Sequence, residues 1–374
     1  MTTPDVLADA LAAKGALPDE WATAVRAVAR AAFLPDEIEV GEQRIDRRVE
    51  PGRWLAAVYD DVPVTTQVND GRPTPEGAYR LPTSSSSMPS VMLEMLGLLD
   101  VRPGQRVLEA GTGTGYHAAW LCHRLGERNA TSVDIDGGLV EAAGEALAAS
   151  GFAPRLGVGD AAAGWAEGAP YDRLIATYTV PEIPYAWVEQ TPGGRIVAPW
   201  GGSFFAHSYA VLEVEEGRAV GRFAGWPAFM GSRVARPHRG FLGDFYRRGE
   251  QGERGRTGID PRAFAGDADG LFFVGLALPD AWYLLAEAAD GSGEATLWLL
   301  ADDRRSWATV GYVPRRGEEY EVEQFGARRL WTEAEGAYGE WQDLGAPSRD
   351  RAGLTVDGGG QRLWVDTPDN EWHR

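Results

Sequence analysis

One stretch constrains the fold of this chain more than any other. Arg106–Val107–Leu108–Glu109–Ala110, a short apolar run, leads without a break into Gly111–Thr112–Gly113–Thr114–Gly115–Tyr116. Such a run reads as a buried strand, and a glycine-rich turn between strand and helix lets a ligand approach the backbone at the helix N-terminus. Beyond it the pattern alternates: helix 116–125, strand 130–135, helix 137–150, strands 155–158 and 172–177, helix 183–190 and strand 194–198. That alternation predicts an α/β, Rossmann-like fold, a mostly parallel sheet with helices on both faces. Residues 210–214 and 219–223, joined by Glu215–Glu216–Gly217–Arg218, are expected to form a hairpin that closes the sheet.

The flanks differ in character. Residues 5–33 place Val6, Leu7 and Leu11, then Val25, Val28, Ala29 and Ala32, at helical spacing around Pro18 and Asp19, which predicts two short helices capping the sheet domain. Residues 41–82 are irregular and rich in Gly, Pro and Asp, and predict a long loop with a strand near Trp54–Tyr59. A helix over Pro89–Leu99 follows. The predicted organisation is a sheet domain over 1–232, a charged, glycine-rich linker over 233–270, and an α+β domain over 271–374 holding seven tryptophans between Trp282 and Trp372. Those aromatics suit a buried core, or a surface for peptide recognition.

Charge and composition narrow the partners. A net charge of −19 disfavours a polynucleotide, whose binding depends on cations that neutralise phosphates. A single cysteine, Cys122, excludes an intramolecular disulfide framework, and five scattered histidines offer no metal-ligand spacing, so no metal is expected. The apolar run from Leu271 to Leu285 is broken by Pro279 and Asp280 and falls short of the ~20 residues of a membrane span. The amino-terminal residues lack a basic start followed by an apolar run, so a cytoplasmic location is expected.

The glycine turn departs from the dinucleotide fingerprint, because Gly115 falls one residue early and Tyr116 holds the third glycine position. Glu109, at the strand end, would repel a pyrophosphate but suits a cationic ligand. S-adenosylmethionine (SAM) has that character: an adenosine, a sulfonium and an amino-acid end, with no phosphate. Asp134 ends the second strand 23 residues beyond Gly111, an offset at which a carboxylate accepts from ribose hydroxyls, and Asp160, after Gly159, could accept from the adenine amino group. Plainer roles stand beside these: helix N-caps for Asp134 and Asp160, a buried ion pair for Glu109. His117 is expected to line the cleft rather than act as a base, and Cys122 to lie in the core.

These residues carry a resemblance. VLEAGTGTGYHAAWL, SVDID, VGDAAAGWAEGAPYDRLIAT and QTPGGRIVAPWG, at their spacings, resemble the protein-L-isoaspartate O-methyltransferases, a class I SAM-dependent family. The amino-terminal LADALAAKGALPDEWATAVRAVARAAFLP is similar to that family's opening helices. The resemblance covers residues 4–230. It implies a cofactor site of Glu109 with the turn residues Gly111, Thr112, Gly113, Gly115, Tyr116 and His117. It adds Asp134 and Ile135 from the second strand, Gly159, Asp160 and Ala161 from the third, and Thr177 from the fourth. Ser87–Met88–Pro89 stands where the family has Ser-x-Pro, whose serine lies beside the methyl donor and the substrate carboxylate. Ser87 is therefore the implied catalytic residue, with Ser85 or Ser86 in its place if the register slips.

Two departures bear on substrate: the insert from Thr66 to Pro82, and the carboxyl-terminal extension, which the family normally lacks. With the Thr83–Ser84–Ser85–Ser86–Ser87 run, they look like the actinobacterial branch that tailors ATP-grasp-cyclised peptides, the graspetides. The activity this implies is methyl-esterification of an aspartate in the cyclised precursor peptide, followed by succinimide (aspartimide) formation. General isoaspartate repair, and a SAM-binding peptide-docking module with little turnover, are the competing readings.

Overall fold

The computed structural model describes residues 3–75, 77–205, 208–236, 242–247, 250–315, 317 and 319–372. It opens with helices α1 (Pro4–Ala13) and α2 (Asp19–Ala27), strands β1 (Glu37–Val40) and β2 (Gln43–Asp46), helix α3 (Pro51–Val58), strands β3 (Val64–Val68) and β4 (Pro82–Ser86), and helix α4 (Pro89–Leu99). The predicted loop over 41–82 is thus corrected. Its strands join β1 and β4 in a four-stranded antiparallel sheet of order β2-β1-β3-β4. The predicted strand near Trp54–Tyr59 is helix α3. Pro51 stands in its first turn, where a missing N–H costs nothing, and Trp54 and Val58 share its buried face.

The α/β domain runs β5 (Val107–Ala110), α5 (Tyr116–Leu125), β6 (Ala130–Asp134), α6 (Gly137–Ala149), β7 (Arg155–Val158), β8 (Arg173–Ala176), α7 (Tyr185–Gln190), β9 (Arg195–Trp200), β10 (Ser208–Glu215) and β11 (Arg218–Ala224). Strands β5 to β9 are parallel, as the alternation predicts. The chain moves outward from β5 through β6 to β7, then returns to β8 on the other side of β5. A ligand cleft forms at such a switch point, beyond the carboxyl ends of the strands.

The remainder runs α8 (Leu242–Phe245), β12 (Glu253–Thr257), α9 (Pro261–Gly266), α10 (Ala268–Ala277), β13 (Ala281–Glu287), β14 (Ala295–Ala301), β15 (Trp307–Tyr312), β16 (Tyr320–Phe325), α11 (Leu330–Asp343), β17 (Ala352–Asp357) and β18 (Gly360–Val365). Two expectations change here. The predicted linker over 233–270 contains β12, an edge strand of the five-stranded sheet β12-β16-β15-β14-β13, together with α9 and the start of α10; its residues 237–241 and 248–249 lie outside the described residues. The hairpin β10–β11 does not close the main sheet, because β17 pairs with β11 (Ala219↔Val356 to Arg222↔Gly353) and β18 with β17. The large sheet therefore has nine strands, β18-β17-β11-β10-β9-β8-β5-β6-β7, and the five-stranded unit is inserted between β11 and β17.

One core runs without a break from the parallel strands (Leu108, Leu174, Ile196) through α10 (Phe272, Phe273) to α11 (Trp331, Trp341) and β17 (Leu354). A second, on the opposite face, packs α1, α2 and α4 against α5. Cys122 is buried there, as expected, and burial pushes its thiol up to about 12. Among the described residues no helix is long and apolar enough to cross a membrane, and no cluster of three or more His, Cys, Asp or Glu could hold a metal ion.

Candidate active site

Beyond the carboxyl ends of β5, β6 and β8 lies a cavity of about 780 Å³. Its floor is formed by residues 111–114 of the turn, whose glycines all take positive φ: Gly111 +101°, Gly113 +51° and, just behind, Gly115 +83°. A side chain is strained at such angles. A Cβ on Gly111 would also collide with Thr177 Oγ1, which donates to the Gly111 carbonyl at 2.7 Å, and would press on the Tyr178 ring.

The carboxylates divide their roles. Asp134 accepts from the Gly113 amide and the Asp136 amide, each at 3.0 Å, which fixes it at the cavity edge. The N-cap of α6 is Asp136, which accepts from Gly138 and Leu139, so the capping alternative for Asp134 falls away. For Asp160 that alternative holds: it caps the turn at 161–163 through the Ala162 amide while lining the cavity. Glu109 is fully buried, with one oxygen 2.5 Å from His117 Nδ1 and the other accepting from Ser132 Oγ, which in turn meets Thr112 Oγ1 at 2.7 Å. His117 Nε2 is left at the cavity wall without a partner among the described residues.

Of the residues the resemblance implies, Thr112, Tyr116, Ile135, Ala161 and Thr177 line the cavity, whereas Gly115 and Gly159 stand behind its wall. Gly115 serves packing, with Ala143 of α6 3.0 Å from where its Cβ would be, and Gly159 donates to the Asp134 carbonyl at 2.9 Å. Tyr178, which sequence reasoning missed, also lines the wall; burial and the nearby Asp160 and Asp134 raise its phenol above the ordinary range.

Strand β4 forms the opposite side, with Ser84 to Ser87 all on the lining. Ser84 Oγ is 3.4 Å from Thr66 Oγ1, and Ser86 Oγ accepts from Arg30 Nε at 3.1 Å. Ser85 and Ser87 are only partly buried. Beside it an apolar stretch of the lining, Met88, Met92 and Met95, runs into the core, where flexible thioethers adapt to varied shapes.

The roof, residues 226–234, was also missed. The Thr179 amide donates to the Met230 carbonyl and the Ser232 amide to the Thr179 carbonyl, each at 2.8 Å. Arg233 then ties roof to walls: it donates to Asp136 at 2.9 Å, to Gln67 of the insert at 2.7 Å and to the Thr83 carbonyl at 3.2 Å. Burial opposes ionisation of Asp136, but hydrogen bonds from Gln67 and Arg233 outweigh it and hold the carboxyl below its usual range. At the rim, Arg349 from the segment before β17 packs over the ring of Trp226.

A glycine turn that brings bare backbone to the cavity, carboxylates along its wall and a buried histidine nitrogen without a partner among the described residues fit a ligand with a nucleoside and a cationic amino-acid end. The fold and this cleft define a class I SAM-dependent methyltransferase. Residues 5–210 match the family described as protein-L-isoaspartate(D-aspartate) O-methyltransferase (PCMT). The protein-L-isoaspartate O-methyltransferase of Hyperthermus butylicus is 31% identical over 206 residues, 52% of this chain and 73% of that protein. That of Halorhodospira halophila is 37% identical over 205 residues, 54% of this chain and 78% of that protein. The chain belongs to this family and is a SAM-dependent carboxyl O-methyltransferase. A solved structure titled protein-L-isoaspartate O-methyltransferase shares the fold at a TM-score of 0.55 and 20% identity, covering 98% of this chain and 100% of its own. The shared fold thus extends over the carboxyl-terminal part as well, whereas the two curated relatives align with only 52% and 54% of this chain.

Proposed function

We propose that the enzyme methyl-esterifies the side-chain carboxylate of an aspartate in a ribosomally made, macrocyclised peptide, after which the ester closes to a succinimide. The observation that carries this reading is the acceptor side of the cavity. The insert between β3 and β4, the serine strand and the roof are bonded to one another through Gln67, Thr83 and Arg233, so the acceptor meets fixed walls on several sides. Such walls favour a compact peptide of constant shape over the varied sequences a repair enzyme meets. Isoaspartate repair is the second reading, favoured by the full-length likeness to a structure of that title.

In either case SAM, when bound, supplies an electrophilic methyl group. Asp134 would accept from the ribose hydroxyls, Ile135, 43% exposed at the mouth, would cover the nucleoside, and Asp160 would meet the adenine amino group; all three line the cavity. Ser87, with Ser85 beside it, would orient the acceptor carboxylate by its hydroxyl. A carboxylate of ordinary pKa, near 4, is already ionised at neutral pH, so no general base is needed. Alignment and exclusion of water by the roof then do most of the work, worth roughly 7–11 kcal/mol in favourable cases. In the ester, the following backbone amide nitrogen attacks the carbonyl, loses its proton, and expels methanol as the ring closes.

Transfer of labelled methyl from SAM tests the reading, using a linear isoaspartyl peptide, a linear aspartyl peptide and an aspartyl peptide cyclised through side-chain esters. Labelling of the cyclised peptide alone is the expected result; labelling of the isoaspartyl peptide alone would establish repair. Two variants separate donor from acceptor. Asp134→Ala should weaken SAM binding by roughly 10- to 100-fold, the value of charge-assisted hydrogen bonds of about 1.5–3 kcal/mol, read as a smaller thermal shift with SAM. Ser87→Ala should lower kcat while SAM affinity stays near wild type, because the contact it removes forms chiefly in the transition state. Wild-type turnover in Ser87→Ala would move the role to Ser85.

A further inference from the structure

Arg30 is fully buried, although it belongs to the amino-terminal cap and lies outside the cavity lining. Its guanidinium donates from Nε to Ser86 Oγ at 3.1 Å, from Nη1 to the carbonyls of Val58 and Asp60 at 3.2 and 3.1 Å, and from Nη2 to the carbonyls of Val62, Ser86 and Ser87 at 3.1, 3.0 and 3.0 Å. Five N–H groups serve six acceptors, and none of the six is a carboxylate. A buried cation without a contacting anion is costly to keep. Burial pulls its pKa down to about 10, so it remains charged at neutral pH, with Asp60 and Asp61 acting on it only through space.

Position explains what the charge does. Ser86 and Ser87 line the cavity, yet their carbonyl oxygens turn back into the protein toward Arg30. Left unheld, two carbonyl dipoles beside the cavity would present negative ends to an incoming carboxylate. Tyr116, which also lines the cavity, has the Arg30 guanidinium 5.9 Å from the centre of its ring.

We propose that Arg30 is the positioning residue that makes the serine strand receptive to an anion: it draws the Ser86 and Ser87 carbonyls inward and places a fixed positive charge behind the strand. It never touches substrate. Its effect is a preference for a charged carboxylate over the neutral carboxamide of the same shape. The proposal rests on the reading that the serine strand receives the acceptor carboxylate.

The test is calorimetric, with S-adenosylhomocysteine saturating and two cyclised peptides identical except that one carries an aspartate at the acceptor position and the other an asparagine, its carboxamide. Wild type should prefer the carboxylate by roughly tenfold or more, a charge-assisted against a neutral interaction. Arg30→Gln should bring that preference to within about twofold, and Arg30→Lys, which keeps the charge but has three donors, should lie between. Affinity for S-adenosylhomocysteine should change by less than about threefold in each, since no cofactor contact is removed. If Arg30→Gln does not fold, Arg30→Lys and Ser86→Ala carry the test, each expected to reduce the preference. Folded variants that keep the full preference would overturn the proposal, as would an equal loss for both peptides and the cofactor, which marks a purely structural arginine. A wild type with no preference would overturn the serine-strand reading itself, a result distinct from failure at Arg30 alone.

Discussion

Gly111→Ala is expected to abolish useful SAM binding while leaving the protein folded. At φ +101° an alanine costs roughly 1–3 kcal/mol of strain. The added methyl also strikes Thr177 Oγ1, whose hydrogen bond to the Gly111 carbonyl holds β5 and the segment after β8 in register at the cavity floor. Relief requires the turn to move, and the Gly113 amide that anchors Asp134 moves with it. Together these should lower affinity by about 100-fold or more, since each 1.4 kcal/mol is a factor of ten. Gly104→Ala is the control: φ is +86° there, but nothing lies within 4 Å of the new methyl, so it should lower Tm without weakening SAM. Calorimetric titration of both variants checks this, and near-normal affinity in Gly111→Ala would remove the turn from the donor site.

Ending the chain after Arg236 should yield insoluble protein rather than a free-standing methyltransferase. The truncation removes β17 and β18, on which Leu354, Val356, Leu363 and Val365 are each no more than 5% exposed. At about 1.5–3 kcal/mol for each buried side chain, their loss rivals the 5–15 kcal/mol of a whole domain's stability. It also bares the hydrogen-bonding edge of β11 and the face of the sheet on which Phe272 of α10 packs against Trp200 and Phe223, an aggregation hazard. Solubility and the thermal shift with SAM decide the matter. A soluble 1–236 fragment that binds SAM normally would show that the sheet stands without its last two strands.

Where local chemistry decides structure, the sequence was readable. Helix α5 runs over 116–125, as the apolar patterning indicates, because it is a buried element with glycines at both ends, and strand β7 over 155–158 likewise falls where expected, although it is the half-exposed edge of the sheet. Helix α3 was misread because Trp54, Val58 and Tyr59 favour strands by type, while the deciding signal was Pro51 at the first turn. Strand β12, Glu-Arg-Gly-Arg-Thr, has no apolar alternation to detect; it is an exposed edge whose Arg254 and Arg256 lie opposite Glu323 and Glu321 on β16. The return of β17 to β11 is a pairing across more than a hundred residues, and no local pattern encodes it. In the cavity, the wall residues at the ends of β5, β6 and β8 were legible because they follow strand ends in order. The opposite side was not: Arg30, Gln67, Arg233 and the roof converge from distant segments, and an arginine in an amphipathic helical stretch looks like any solvated cation.

The inserted five-stranded unit is fastened to the main sheet at both of its ends, at β11 and at β17, and Arg222 of β11 bonds the carbonyls of Arg351 and Asp366 across that seam. A module on one flexible linker sweeps a volume, raising the local concentration of whatever it captures and handing it over by diffusion. A body with two anchors close together, and an aromatic core shared with its host, has no such swing. Whatever this unit contributes to choosing a substrate is a matter of fixed shape at the Trp226 rim, and it is already in place before a peptide arrives.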